Sequence, residues 1–258
     1  RKLAKNPTNP NVRYRLGVVN FDNLKHISTS AALVLTAELS KWDDEIRQQL
    51  KPQTDNWDAD IFIKFSDLGF FDLFHNHDVT DNPLSTHKSD TRLVKYIKGR
   101  CGDSNKARQL KQAIYDVIGD QVTKWTFLHS GLTEAITNVS HHAYPDYYKV
   151  KASDKNWYLG GAYRKSTHEL KIVFYDQGIG IPNSLPASAI WEKVLSMLSI
   201  IPAVDRKKDA VLLKAAVELD RTSTEETDRG KGLQDLLEFV KQRDDGYLSI
   251  ISQKGLYK

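Results

Sequence analysis

The stretch HSGLTEAITNVSHHAYP, residues 129–145, carries two different stripes when it is placed on a helix. On a helix of about 3.6 residues per turn, Glu134, Asn138 and His142 recur at every fourth residue and share one face. An apolar stripe lies on another face, formed by Leu128, Leu132, Ala135, Ile136, Val139 and Ala143. The apolar stripe is expected to bury against a domain, whereas the polar stripe either faces solvent or lines a site.

The surrounding pattern predicts a helix over residues 122–144, which ends before Pro145 because proline disfavours helical geometry in the residue before it. Two strand-like runs follow, NWYLGGAYRK at 156–165 and ELKIVFYD at 169–176. The second run leads directly into DQGIGIP, where Asp176 ends the strand and Gly178 and Gly180 follow. Such glycines let a backbone turn sharply and approach a ligand closely, and the acid can accept a hydrogen bond from an amino group.

A third segment, TDRGKGLQDLLEF at 227–239, places two glycines just before a predicted helix. Backbone N–H groups at a helix N-terminus favour phosphate binding, and basic side chains beside them add positive charge. Taken alone, each of the three segments also has an explanation that involves no binding or catalysis, namely a solvent-exposed helix face or an ordinary glycine turn.

In this order, Glu-x-x-x-Asn on a helix, Asp-x-Gly-x-Gly after a strand and Gly-x-Gly before a helix resemble the GHKL ATP-binding family. The resemblance covers about residues 105–255, and EAITNVSHHAYP is most similar to the anti-sigma-factor serine kinases of that family. It implies a site for ATP and Mg²⁺. Glu134 would be the general base, Asn138 would coordinate Mg²⁺, and His142 would either lie near the phosphates or only pack the helix end.

The resemblance also assigns the nucleotide contacts. Asp176 would accept a hydrogen bond from the adenine amine, and Gly178 and Gly180 would let the loop pass the nucleotide. A lid would cover ATP from about residue 183 to residue 229. The phosphates would meet backbone amides and positive charge at the third segment, formed by Arg229, Gly230, Lys231, Gly232 and Leu233.

The activity within the family stays open. The lid is longer than in the small serine kinases, and Lys231 stands between the glycines, so both an ATPase and a protein Ser/Thr kinase are consistent with the sequence. The alternative from another class is an ATP-sensing interaction module with little turnover. A kinase or a sensor implies a protein partner, and a homodimer stays open because many family members dimerise.

The element pattern predicts an α+β fold for residues 104–258, with helices on one face of a mixed sheet in a two-layer sandwich. Residues 1–103 are predicted to form a smaller α/β domain. Within it, DADIFIKFSDLGFFDLF at 58–74 is predicted as a buried strand leading into a turn, and it weakly resembles the central strand and acceptor loop of STAS domains. No Ser or Thr stands at the acceptor position in GFFDLF, and an unrelated α/β domain is the alternative.

Composition and charge limit the classes of partner and the cellular compartment that fit this chain. The 258 residues carry a net charge of +4 without a dense basic stripe, which indicates no nucleic-acid partner, and no apolar run is long enough for a membrane span. The single Cys101 excludes an internal disulfide, is interpreted as a bystander thiol and favours the cytoplasm. His75, His77 and Asp78 are interpreted as loop residues, because no second group of ligands accompanies them.

Overall fold

The computed structural model describes residues 18–42, 47, 50–74, 83–86, 88–103, 106–119, 125–188, 190–205, 208–222, 232–242 and 245–258. The helices are α1 (Thr29–Leu39), α2 (Ala59–Leu68), α3 (Ala107–Ile118), α4 (Trp125–Asn138), α5 (Ile181–Ser184), α6 (Trp191–Leu198), α7 (Asp209–Thr222) and α8 (Gly232–Lys241). The strands are β1 (Val18–Asn20), β2 (Lys51–Gln53), β3 (Thr91–Arg100), β4 (Asn156–Arg164), β5 (Glu169–Asp176), β6 (Ile250–Ser252) and β7 (Gly255–Tyr257). The predicted mixture of helices and sheets is confirmed, and it is compatible with an α+β two-layer sandwich.

The strands form three sheets in the described part of the chain: β1 with β2, β3-β4-β5, and β6 with β7. The chain divides into two compact units, one of Arg1–Tyr96 with Gly160–Val173 and one of Ile97–Leu159 with Phe174–Lys258. The sequence predicted a single boundary between residues 103 and 104, and the observed division differs from that prediction. The reason is that each strand of the sheet β3-β4-β5 contributes residues to both units.

The first unit begins with a β-α-β arrangement. Strands β1 and β2 pair in parallel, with Val18 opposite Lys51, and α1 supplies the crossover that parallel strands need. Ser28 caps α1, because its hydroxyl accepts a hydrogen bond from the Ala31 N–H at 3.2 Å.

A helix, α2, stands where the sequence predicted a buried strand. Asp58 caps its first turn by accepting from the Asp60 N–H at 3.0 Å, and Gly69 ends it in the left-handed region with φ of 83°. The residues that indicated a strand bury on this helix instead: Ile61, Phe62, Ile63, Phe65 and Leu68. The strand prediction is wrong because the two caps and the tertiary burial outweigh local β propensity.

The weak resemblance to STAS domains rested on this segment as a central strand. A helix over Ala59–Leu68, followed by a 3-10 turn over Phe70–Leu73, removes that basis. The aromatic side chains of the segment instead pack together in the first unit, where Phe65 and Phe70 have ring centroids 4.5 Å apart.

In the second unit, the start of β4 is fully buried around Trp157, whose exposed fraction is 0%. The Trp157 indole N–H donates to the Arg100 carbonyl oxygen at 3.0 Å, and the ring covers Gly99. A Cβ atom at Gly99 would lie 2.0 Å from Cζ2 of Trp157. Glycine is therefore required at position 99 by packing and not by backbone conformation.

We expect Gly99→Ala to lower the free energy of unfolding by about 1–3 kcal/mol, because the added methyl group must displace a buried indole. Urea denaturation followed by tryptophan fluorescence measures the loss. Gly160→Ala is the matched control, since its Cβ would lie 3.4 Å from Cδ1 of Leu33, an ordinary contact distance. Equal stabilities of the two variants would contradict the packing argument.

The segment predicted as a lid contains two full helices, α6 and α7, that share a buried core. Its fully covered members are Leu185, Val194, Leu198 and Ala215. Residues up to 222 are therefore a folded helical piece, while residues 223–229 lie outside the described part of the chain.

The C-terminal residues form a short antiparallel hairpin. Strands β6 and β7 pair with Ser252 opposite Gly255, and Gln253 and Lys254 form the turn. The hairpin packs against α7, where the Lys254 N–H donates to the Asp209 carboxylate at 3.0 Å. Within the described residues, no helix has the length and apolar character that crossing a bilayer requires.

Candidate functional site

Helix α4 presents the two stripes that the sequence predicted. Leu128, Leu132 and Ile136 are buried on one side, whereas Glu134 is half-buried and Asn138 is exposed on the other. The helix therefore holds a carboxylate and a carboxamide one turn apart at a partly open surface.

The regular helix ends at Asn138 and continues as a π-helical turn over Val139–Ala143. Two hydroxyl groups donate to backbone carbonyl oxygens of α4: Thr137 on the helix to Thr133 at 3.0 Å, and Ser140 on the π-turn to Ile136 at 3.0 Å. Such bonds often bend a helix, and π-turns occur frequently at functional sites. The turn changes the direction of His142 relative to the straight helix that the sequence predicted.

The surroundings of His142 favour its neutral form, because they lower its pKa. Partial burial lowers its pKa from the ordinary value of 6.5, His141 lowers it further, and Glu134 opposes the change. A neutral imidazole donates one hydrogen bond and carries no positive charge. Both interpretations of His142, as a phosphate contact and as packing at the helix end, stay open.

The end of the π-turn meets the glycine loop that follows β5. The Ile179 N–H donates to the Ala143 carbonyl oxygen at 2.9 Å. A Cβ atom at Gly178 would lie 2.4 Å from the Ala143 Cβ and 2.5 Å from its oxygen. Glycine at 178 therefore permits a backbone approach that any other residue would block, and two of the three predicted segments lie side by side.

Asp176 ends β5 with its carboxylate turned back onto this loop. Its Oδ1 atom accepts a hydrogen bond from the Gly178 N–H at 2.8 Å, which fixes the first turn of the loop. A carboxylate accepts several hydrogen bonds at once, so this bond is compatible with a ligand amine on the same group.

Tyr144 stabilises the loop after Asp176 through its hydroxyl group, and the sequence did not predict this role. Its hydroxyl donates to the Asn156 carbonyl oxygen at 2.8 Å and accepts from the Gln177 N–H at 3.3 Å. Burial, followed by the charge of Asp176, raises the pKa of Tyr144 well above its usual range, so the hydroxyl stays protonated.

The other side of the loop rests on the β6-β7 turn. Gly180 has a φ of 83°, which favours glycine, and a Cβ there would lie 2.9 Å from Ser252 Oγ. Ser252 accepts from the Ile181 N–H at 2.8 Å, and the Gln253 side-chain amide donates to the Ile179 carbonyl oxygen. Sequence reasoning also missed Ser252 and Gln253, which lie more than 70 residues from their partners.

The third predicted segment is described only from Gly232 onward. Gly232 is the first residue of α8 and Leu233 the second, and α8 packs along α4. Arg229, Gly230 and Lys231 lie outside the described residues, as do His75, His77 and Asp78. The phosphate role of this segment stays a prediction.

Cys101 lies beside the π-turn. Burial raises the pKa of its thiol above the usual value, and the charge of Lys155 and a hydrogen bond with Ser140 oppose the change. A protonated thiol is a poor nucleophile, which agrees with the interpretation of Cys101 as a bystander.

Comparisons with protein-family models, curated proteins and solved structures gave no match to this chain. Among the described residues, no three His, Cys, Asp or Glu side chains come together as a metal-binding group. The Mg²⁺ arrangement predicted from the sequence does not depend on such a group, because Mg²⁺ usually keeps waters and phosphate oxygens as ligands.

Proposed function

We propose that the chain binds Mg²⁺-ATP at a GHKL-type site and either hydrolyses ATP or transfers its γ-phosphate to a protein Ser or Thr. One observation carries the proposal. The loop after Asp176 docks on the end of the helix that holds Glu134 and Asn138, through the contact of Gly178 with Ala143. These segments lie far apart in the sequence, and a shared nucleotide site gives a reason for such an exact glycine fit.

The chemistry of the donor set fits the nucleotide and its metal. Asn138 offers an exposed carboxamide oxygen, which is the kind of hard ligand that Mg²⁺ prefers. Asp176 offers a carboxylate to an amine, and Gly178 and Gly180 let the loop that carries this carboxylate pack closely against Ala143 and the β6-β7 turn. When bound, Mg²⁺ would neutralise phosphate charge.

In this proposal each residue of the site has one role. Asp176 binds and orients the adenine, and the amides at the start of α8 hold phosphate oxygens. Glu134 takes a proton from the attacking oxygen, which belongs to water in an ATPase and to a Ser or Thr hydroxyl in a kinase. The helix fixes the backbone of Glu134 and places its side chain on the same face as Asn138, one turn away.

The alternative function is an ATP-sensing interaction module with little turnover. The helical piece over residues 181–222 supports it, because the loop between α6 and α7 exposes apolar side chains. Ile200 is 87% exposed and Val204 is 79% exposed. Under this alternative, nucleotide binding would change how a protein partner meets this piece. We propose a cytoplasmic setting for either function, and a homodimer stays open.

The experiment that tests the proposal is calorimetry with a non-hydrolysable ATP analogue, with and without Mg²⁺, followed by a turnover assay. We expect saturable binding that is tighter with Mg²⁺, because phosphate charge is then neutralised. The matching GTP analogue serves as control, since guanine carries a carbonyl where adenine carries its amine. Equal binding of both analogues, or no binding of either, would contradict the proposed site.

A further inference from the structure

The turn between β6 and β7 holds a residue in an unfavourable backbone conformation. Gln253 has a φ of 53°, in the left-handed region, at the first position of a two-residue hairpin turn. Glycine, asparagine or aspartate is the usual residue where the first position of such a turn has positive φ. Backbone strain of this kind persists where surrounding contacts hold it, and it often marks functional sites.

The Gln253 side chain contacts the glycine loop, and this contact stabilises the unfavourable backbone conformation of Gln253. The amide Nε2 donates to the Ile179 carbonyl oxygen, and it would lie 3.0 Å from a Cβ at Gly180. A glycine at 253 would fit the turn better but would not reach the loop. The side chain therefore explains why a strained residue occupies this position.

The neighbouring residue on the hairpin acts on the same loop. Ser252 is 8% exposed, and its hydroxyl accepts the Ile181 N–H at 2.8 Å. From the opposite side, the Ala143 carbonyl oxygen accepts the Ile179 N–H at 2.9 Å. The residues after Asp176 are thus bound on both sides, by α4's π-turn and by the hairpin.

We infer that Gln253 is a positioning residue for nucleotide binding, which holds the loop after Asp176 in the conformation that accepts adenine. The inference rests on the proposed function. Gln253 touches the loop backbone and not the reacting atoms, so it acts through Asp176. Its contribution falls on affinity for the adenine end of the ligand and leaves the phosphate end and the chemical step unaffected.

The test compares two substitutions. Gln253→Met keeps the side-chain length and the backbone strain but removes the amide donor. Gln253→Gly removes the donor and also relieves the strain. Lys254→Ala, on the same turn, is the matched control because the Lys254 side chain is exposed.

We expect both Gln253 variants to bind the non-hydrolysable ATP analogue about fivefold to tenfold more weakly than wild type, the range that one lost hydrogen bond supports. Affinity for inorganic triphosphate, which lacks adenine, should not change, and saturated turnover should not change. The melting temperature of Gln253→Gly should be equal to or above that of wild type, because strain is relieved. A merely structural residue would lower stability and affinity together.

Hydrogen exchange of residues 177–181 without nucleotide separates this inference from the proposed function. We expect faster exchange in Gln253→Met than in wild type or Lys254→Ala, because the loop loses the hydrogen bond from the Gln253 side chain to the Ile179 carbonyl oxygen. If wild type binds ATP and the variants match it in affinity, the inference is wrong and the proposed function stands. If wild type binds no ATP, both fail, even where the exchange data show that Gln253 orders the loop.

Discussion

We expect the Asp176→Asn substitution to weaken ATP binding about tenfold to a hundredfold, since hydrogen bonds to charged groups contribute about 1.5–3 kcal/mol. The substitution keeps the oxygen that accepts the Gly178 N–H at 2.8 Å, so the loop keeps its first turn. It replaces the other carboxylate oxygen with an NH₂ group, which cannot accept a hydrogen bond from the adenine amine. The change in affinity is therefore expected without a change in fold.

Calorimetry with the non-hydrolysable ATP analogue measures this effect, and a denaturation curve reports the fold. Asp116→Asn is the matched control, because it removes the same charge from an exposed position on α3 where the carboxylate accepts from Gln112 at 2.7 Å. An Asp176→Asn protein that binds ATP as tightly as wild type would remove the adenine assignment, even if some nucleotide still binds.

The sequence was sufficient to predict α4, because a helical period and a following proline are both local signals. Leu128, Leu132 and Ile136 are buried as the apolar stripe required. The π-turn after Asn138 was not predicted, since the helical period of the sequence continues to His142 without a sign of a wider turn. The direction of His142 was therefore beyond sequence reasoning.

The segment that became α2 shows how local propensity misled the prediction. Isoleucine and phenylalanine in close succession favour a strand, but the same residues also cover one face of a short buried helix. The signals that decide between them were present at the ends: Asp58 caps the start and Gly69 ends the helix. Weighing these caps above β propensity would have given the correct element.

The glycines of the site were predicted as loop residues, but their specific partners were not. Gly178 faces Ala143 and Gly180 faces Ser252 and Gln253, and only the folded chain brings these residues together. The Ser252 hydroxyl lies 71 positions along the chain from the Ile181 N–H that it accepts. No periodicity or spacing within one sequence encodes a contact of that separation, so Tyr144, Ser252 and Gln253 had no signal by which to be found.

The Glu134→Gln substitution decides between an enzyme and a sensor. Glu134 is a half-buried carboxylate on α4, and glutamine keeps its size and polarity while removing its capacity to accept a proton. If Glu134 is the general base, we expect turnover to fall by about 10²- to 10⁴-fold, the usual contribution of such catalysis. Affinity for the ATP analogue should not change, because Glu134 is not assigned a ground-state contact with the nucleotide.

Steady-state release of phosphate from ATP and calorimetry on the same preparation measure the two quantities. Glu192→Gln is the matched control, since Glu192 is an exposed helical glutamate on α6. A loss of turnover confined to Glu134→Gln supports catalysis by this residue, and loss of binding would instead place Glu134 among the nucleotide contacts. Wild type that binds ATP without measurable turnover, and that Glu134→Gln leaves unchanged, is the result that favours the sensor. In that case Glu134 does not act as a general base. The function of the protein then depends on how the nucleotide-bound state contacts a protein partner.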